Sequence, residues 1–349
     1  MKLVHIPVLA LAVLLAWQEW VWAKSGPQKY LKQPEAWFAG DQAGRIADNI
    51  LSFQSDLGGW PKNTDTAVAP FTGSPESLRP TFDNSATTDE LRFLARVYTA
   101  TRQEKYQKAF DQGLDYILKA QYPCGGWPQS FPPDRSYHRY ITFNDDAMVR
   151  LLEFLREIGD QKRYGFLDSS RVSAASRAFE RGIQCILNCQ IKVGGKLTAW
   201  CAQHDEKDFS PRQGRTFEPV SLSSGESAGI TRLLMSLKNP SPEVVRAVEG
   251  AMAWFKAVKL EGIRVVGTKA PDSAKGIYKV VVQDREAPTL WARFYEIGSD
   301  RPIFADRDGV KKYSLIEIGY ERRNGYAWYG VWPGKLLDKE YPAWRDEQK

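Results

Sequence analysis

Two short acidic turns, Asp83-Asn84 and Asn144-Asp145-Asp146, could carry chemistry. They sit in matching contexts, Thr81-Phe82-Asp83-Asn84 and Thr142-Phe143-Asn144-Asp145, and each leads into an amphipathic segment. Asp and Asn cap helix N-termini by accepting from free backbone N–H groups, which accounts for some of them. Capping does not require acids at equivalent places in two such segments. Two carboxylates brought together can act as acid and base in glycoside hydrolysis. They can equally serve as hard oxygen ligands for Ca²⁺. A second, basic group mixes arginines with aromatics: Arg293 in the segment from Trp291 to Tyr295, Arg307 in the segment from Arg301 to Gly309, and Arg322 with Tyr326 in the segment from Arg322 to Tyr329. A guanidinium pairs bidentately with a carboxylate, and an aromatic ring stacks on a sugar, so this mixture suits an acidic sugar. Lys62 adds a cation directly after Gly58-Gly59-Trp60-Pro61. His204 and His138 have no Ser/His/Asp pattern around them and read as structural.

These residues hang on a repeat. Gln54 to Pro61 matches Gln121 to Pro128 at both ends, and Gln190 to Gly195 repeats the opening. The acidic turns recur with it, and Ser223-Ser224-Gly225-Glu226 enters a third segment of the same kind. Apolar residues then fall at helical spacing: Leu91, Leu94, Ala95 and Tyr98; Leu151, Leu152, Leu155 and Ile158; Ile230, Leu233, Leu234 and Leu237. A second helix in each unit ends at its Gln-Gly-Gly segment. Helix pairs of this type cannot bury their faces alone and must stack. Long units favour closure into an α/α toroid with the carboxylate turns at one end. From about Glu261 onward the helical period is lost. Gly and Pro recur at short intervals, and Tyr278 to Val282 reads as a strand. The expectation is a mainly α fold, an incomplete α/α toroid of repeated helix pairs with a coil-rich C-terminal part carrying short β-strands.

The bulk properties agree with an exported enzyme acting on an anion. The chain has 349 residues, a formal net charge of +6, and 12 Trp, 15 Tyr and 16 Phe. Lys2, the apolar run from Ile6 to about Trp17 and Val21-Trp22-Ala23 have the form of a secretory leader. The apolar run is short for a membrane span. Residues 1–23 are therefore expected to be removed, leaving 24–349 as one catalytic domain, secreted or periplasmic and free of the membrane. A monomer with no nucleic-acid partner is expected. Cys124, Cys185, Cys189 and Cys201 show no zinc spacing, and buried thiols or an incidental bridge are the simplest reading.

Taken in order, the segments GGWPKN (58–63), TFDNSATTDELRFL (81–94), GGWPQ (125–129), TFNDDAM (142–148), LTAWCAQHD (197–205), WARFYEIGSDRPIFADRDG (291–309) and RRNGYAWYG (322–330) resemble the family 10 polysaccharide lyases, which are pectate lyases. The resemblance runs from about Asp41 to Gly334 and implies Ca²⁺-dependent β-elimination on polygalacturonate. It further implies that Asp83 and Asp145 hold the metal, with Asn84 beside the substrate carboxylate. It makes Arg307 the base, and Lys62, Arg215, Arg293 and Arg322 substrate-binding cations, with Tyr326 among them. Two other readings remain open on residues alone. An inverting glycoside hydrolase would use Asp83 and Asp145 and need no metal. A carbohydrate-binding protein would use the tryptophans and form no product.

Overall fold

The computed structural model describes residues 26–269 and 276–348. The expected leader lies outside the described residues. The main helices are α1 (Asp41–Ser52), α2 (Thr88–Thr101), α3 (Glu104–Ala120), α4 (Ala147–Glu157), the short α5 (Gln161–Tyr164), α6 (Ser169–Cys189), α7 (Ser224–Met235) and α8 (Pro242–Ala257). They form two rows. Helices α2, α4 and α7 touch in sequence along one row, and α1, α3, α6 and α8 along the other. The pairs α2/α3, α4/α6 and α7/α8 join the rows. The apolar stripes face inward between them: Leu91, Leu94, Leu151, Leu152, Leu155, Ile230 and Leu234 are all buried in one continuous core.

A tryptophan closes each unit. The indole N–H of Trp60 donates to the Ile50 carbonyl at the end of α1 (2.7 Å), Trp127 to Ile117 in α3 (2.9 Å), Trp200 to Ile186 in α6 (2.8 Å) and Trp291 to Phe255 in α8 (2.9 Å). The glutamine that follows each of the first three helices of this row binds the next one along. Gln54 Nε2 donates to the Ala109 carbonyl, Gln121 to Ala178 and Gln190 to Ala247, each at 2.8 Å. A buried amide or indole needs such a partner, so these residues fix both the end of one helix and its neighbour. The fourth tryptophan shows that the repeat runs one step beyond the three units apparent in the sequence.

The Gly-Gly turns are not all alike. Gly125 has φ +94°, and a Cβ there would collide with the Arg181 carbonyl oxygen of α6. Gly58 stands against Gln112 in α3 in the same way. The third turn, Gly194-Gly195, instead tips a small hairpin pairing Lys192–Val193 with Lys196–Leu197, with nothing near either glycine. That inserted hairpin is why Trp200 falls later after Gln190 than Trp127 does after Gln121.

The C-terminal part has the expected short strands. Its largest piece is the antiparallel hairpin Ile263–Lys269 with Ile277–Gln283. Short helices α9 (Tyr320–Gly325) and α10 (Tyr341–Glu347) add structure that the sequence did not suggest. Trp291–Ala292 pairs with Tyr329–Gly330, and Phe294–Tyr295 with Leu222–Ser223. Arg293 is thereby delivered to the N-terminus of α7, where its carbonyl accepts from Ser224 N–H (2.9 Å). Cys185, Cys189 and Cys201 are buried thiols and Cys124 is half-buried, with no disulfide among them. Among the described residues, no helix is long and apolar enough to cross a membrane.

Candidate active site

The two acidic turns have the same build. Asp83–Ser85 and Asn144–Asp146 are single 3-10 turns, with Asn84 at φ 54° and Asp145 at φ 51°. Asn and Asp tolerate this left-handed conformation better than other residues with a Cβ, which explains their recurrence. The turns precede α2 and α4, adjacent helices in one row, and they touch each other. Asp83, Asn84 and Asp145 therefore come together.

The donors reach these turns from the tryptophans. Lys62, Gln129 and Arg293 each stand two residues after a unit-closing tryptophan. Lys62 Nζ lies 2.5 Å from Asp83 Oδ2, and Gln129 Nε2 donates to the same oxygen at 2.6 Å. Arg293 Nη2 donates to Asp145 Oδ1 (3.2 Å) and pairs closely with Glu226. Asn144 Nδ2 donates to Asp145 Oδ2 (2.7 Å), and Asn84 Nδ2 donates to Asn63 Oδ1 (3.0 Å). Gln129, Glu226 and Asn63 have no role in the sequence reading. Gln129 is findable, because it shares its position after a tryptophan with Lys62. Glu226 stands in the first turn of α7, in the third of the matching segments.

Burial raises the pKa of Asp145. Arg293 opposes this, while Glu226 and Asp83 add to it. Asp146 is pushed up to about 6 by burial, against the opposing charge of Arg150. Arg150 in turn donates to Ser85 Oγ at 2.5 Å, tying the two turns across the helices. These groups line a groove with a cavity volume of about 730 Å³ that includes Lys62, Asn84, Asp145, Glu226, Arg293 and Trp332.

The calcium that the resemblance implies can be tested on the donor set. Asp83 Oδ1 and Asn144 Oδ1 are buried oxygens with no hydrogen-bond partner. Ca²⁺ takes 6–8 hard oxygens at about 2.3–2.6 Å, several of them often from outside the protein. Among the described residues no cluster of three acidic, His or Cys groups forms a closed metal cage. The free Asp83 Oδ1 and Asn144 Oδ1 suit such an ion, and Asp145 would join them by giving up its Arg293 or Asn144 contact.

The other arginines form an arch beside this groove. Arg215, Arg307 and Arg322 all lie over the Phe217 ring, at 5.0, 5.7 and 4.5 Å. Tyr326 links the arch to the groove, with Arg293 at 5.0 Å and Arg215 at 5.8 Å from its ring. Its hydroxyl donates to Glu218 (2.8 Å). Arg307 is 64 % exposed and forms a two-pronged pair with Glu321, at 2.9 Å for each bond. The Glu321 carboxylate raises the Arg307 pKa above its ordinary value, against the opposing charge of Arg215.

His204 is structural. His204 Nε2 accepts from Cys201 N–H (3.0 Å), its Nδ1 faces the Phe209 carbonyl (2.7 Å), and burial lowers it to about 4.

Paired helical rows, an acidic cluster and an arginine–aromatic arch define a lyase of acidic polysaccharides once the relatives of the chain are added. Residues 54–337 match the family described as pectic acid lyase. The family 10 polysaccharide lyase from Cellvibrio cellulosa is 32 % identical, with a TM-score of 0.76, and the match covers 90 % of this chain and 95 % of that one. A mutant of the family 10 polysaccharide lyase from the same organism, solved in complex with trigalacturonic acid, gives the same identity and TM-score and is covered over 96 % of its length. No curated protein matches. The chain belongs to the pectic acid lyase family and is a pectate lyase.

Proposed function

We propose that this enzyme cleaves polygalacturonate by calcium-dependent β-elimination, leaving 4,5-unsaturated oligogalacturonides, after export through a leader ending at Ala23. We also read the two helical rows as the arc of an incomplete α/α toroid. The carrying observation is the pair of touching turns, with Asp83 and Asp145 facing Lys62 and Arg293 and with Asp83 Oδ1 left unpartnered.

The chemistry explains the residue types. The C5 hydrogen of a uronate lies α to its carboxylate, and removing it builds negative charge there. The C4 oxygen then leaves and a double bond forms. Calcium held by Asp83 and Asp145 would neutralise that developing charge and acidify the hydrogen. Lys62 and Arg293, already turned into the groove, add positive charge beside the carboxylate. Asn84 offers an amide at the same turn, and Arg322 and Tyr326 orient the neighbouring sugar.

The base is an arginine in this reading. A guanidinium stays protonated across the ordinary pH range, and each tenfold gain in its acidity costs about 1.4 kcal/mol, so deprotonation needs neighbouring positive charge. Arg307 is the residue that the resemblance implies. Its pairing with Glu321 works against deprotonation until substrate or metal charge displaces that contact.

One assay tests both levels. The mature protein is incubated with polygalacturonate, with and without a chelator, and the ultraviolet absorbance of unsaturated product is followed. Absorbance that drops about 10²-fold or more on chelation is expected. Reducing ends without absorbance would defeat elimination. In the same assay Arg307→Ala should lose turnover with its fold intact, and near-normal turnover removes the role from Arg307.

A further inference from the structure

The arch holds a buried acid to which the elimination chemistry assigns no part. Glu218 is 2 % exposed. One of its oxygens accepts from Tyr326 OH (2.8 Å) and from the Arg215 guanidinium at close range, and the other accepts from the Arg215 backbone N–H (3.0 Å). The backbone closes around it, with Glu218 N–H on the Arg215 carbonyl (2.8 Å) and Gly214 N–H on the Glu218 carbonyl (3.1 Å). Burial alone would raise its pKa, but the Arg215 and Tyr326 contacts outweigh that and keep it low. Arg293 has a buried acid of its own in Glu226. Each guanidinium against the Tyr326 ring therefore stands on its own buried carboxylate.

We propose that Glu218 is a positioning residue that holds Arg215 and Tyr326 as one unit beside the groove. The proposal rests on the lyase reading and deepens it. Three donors converge on one carboxylate, so the guanidinium and the phenol cannot turn independently. A substrate carboxylate meets an arginine whose orientation is already fixed, which lowers the ordering cost at the reacting geometry. The same carboxylate also satisfies part of the arginine's charge, which weakens its grip on an anionic sugar in the ground state. Orientation and affinity are thus set against each other at one residue.

Glu218→Gln keeps the shape and removes the charge. It is expected to lower kcat by about 10- to 100-fold, the cost of a catalytic group misplaced by about 1 Å. Affinity for trigalacturonic acid, read by calorimetry, is expected to stay level or tighten, because Arg215 is freed to pair with the ligand. A merely structural role would lose both together. Glu218→Asp keeps the charge on a shorter arm, so it should recover part of kcat at wild-type affinity. Unchanged kcat in a normally melting Glu218→Gln protein, or joint loss of kcat and affinity, overturns the proposal. If Glu218→Gln does not fold, Tyr326→Phe breaks the unit at its other end. A kcat reduced by about threefold or more with affinity kept supports the proposal, and an unchanged kcat overturns it. If the wild type forms no unsaturated product, the lyase reading fails by itself. Trigalacturonate affinity then decides on Glu218, since markedly weaker binding by Glu218→Gln overturns it and equal or tighter binding supports it.

Discussion

Glu90 and Glu226 are both buried glutamates on row helices, in opposite circumstances. Glu226 has Arg293 beside it. Glu90 has the Thr66 hydroxyl on Oε1 at 3.0 Å, and no partner on Oε2. Burial, helped by the charge of Asp89, pushes the Glu90 pKa up from 4.5 to about 8. The sign of the consequence follows from proton counting. Between pH 4.5 and about 8 the unfolded chain has lost this proton while the folded chain keeps it. The folded state then binds more protons, so stability falls as pH rises through that window and levels off above it. Glu90→Gln keeps the acceptor for Thr66 and cannot ionise. It should match the wild type near the acid end and exceed it at the alkaline end, by several kcal/mol on an order-of-magnitude basis. Urea unfolding at a series of pH values measures this. A stability difference that does not grow with pH would sink the argument.

At the scale of elements, the two kinds of Gly-Gly turn make a matched pair of tests. Gly125→Ala forces a Cβ into the Arg181 carbonyl at φ +94°, where α6 cannot yield without leaving its row. A loss of about 2–5 kcal/mol is expected from left-handed strain plus overpacking. Gly194→Ala meets open space at φ +55°, so about 1 kcal/mol is expected. Thermal melts of the two variants compare them directly, and equal losses would refute the distinction. The same contrast marks what the sequence could reveal. Gln-Gly-Gly-Trp repeats and 3.6-residue stripes pointed to the helix pairs, because each unit must bury the same face and cap the same helix end. The Gly194 hairpin copies the letters without the packing, and nothing local separates the two cases. The site divides in the same way. Asp83, Asn84, Asp145 and Lys62 ride on the repeat and Arg293 stands in an arginine–aromatic run, so the sequence could single them out. Glu218 was not, since its loop has no period and its partner Tyr326 is 108 residues away.

For the whole molecule the question is how a chain with a formal charge of +6 attracts a polyanion. The cations at the groove and arch come from well-separated segments, and each is already paired. Lys62 has Asp83, Arg215 has Glu218, Arg293 has Glu226, and Arg307 and Arg322 share Glu321. Close to the surface these pairs nearly cancel, so attraction at distance rests on the net excess. Salt acts on the two contributions differently. The Debye length is about 10 Å at 0.1 M and about 3 Å at 1 M, so the net field and exposed pairs are screened while buried contacts are not. Arg307 and Glu321 are exposed, at 64 % and 53 %, whereas the acids holding Arg215 and Arg293 are buried. Raising the salt from about 0.02 to 0.3 M at fixed calcium should therefore raise KM for polygalacturonate by about tenfold. It should change kcat less, because Lys62, Arg215 and Arg293 are held by buried acids and only the Arg307–Glu321 pair among these is exposed. Initial rates over substrate concentration at each salt level separate the two constants. A KM that ignores salt would mean that charge recognition is confined to the buried pairs, and a kcat that changes as much as KM would mean that screening reaches the buried pairs in the chemical step as well.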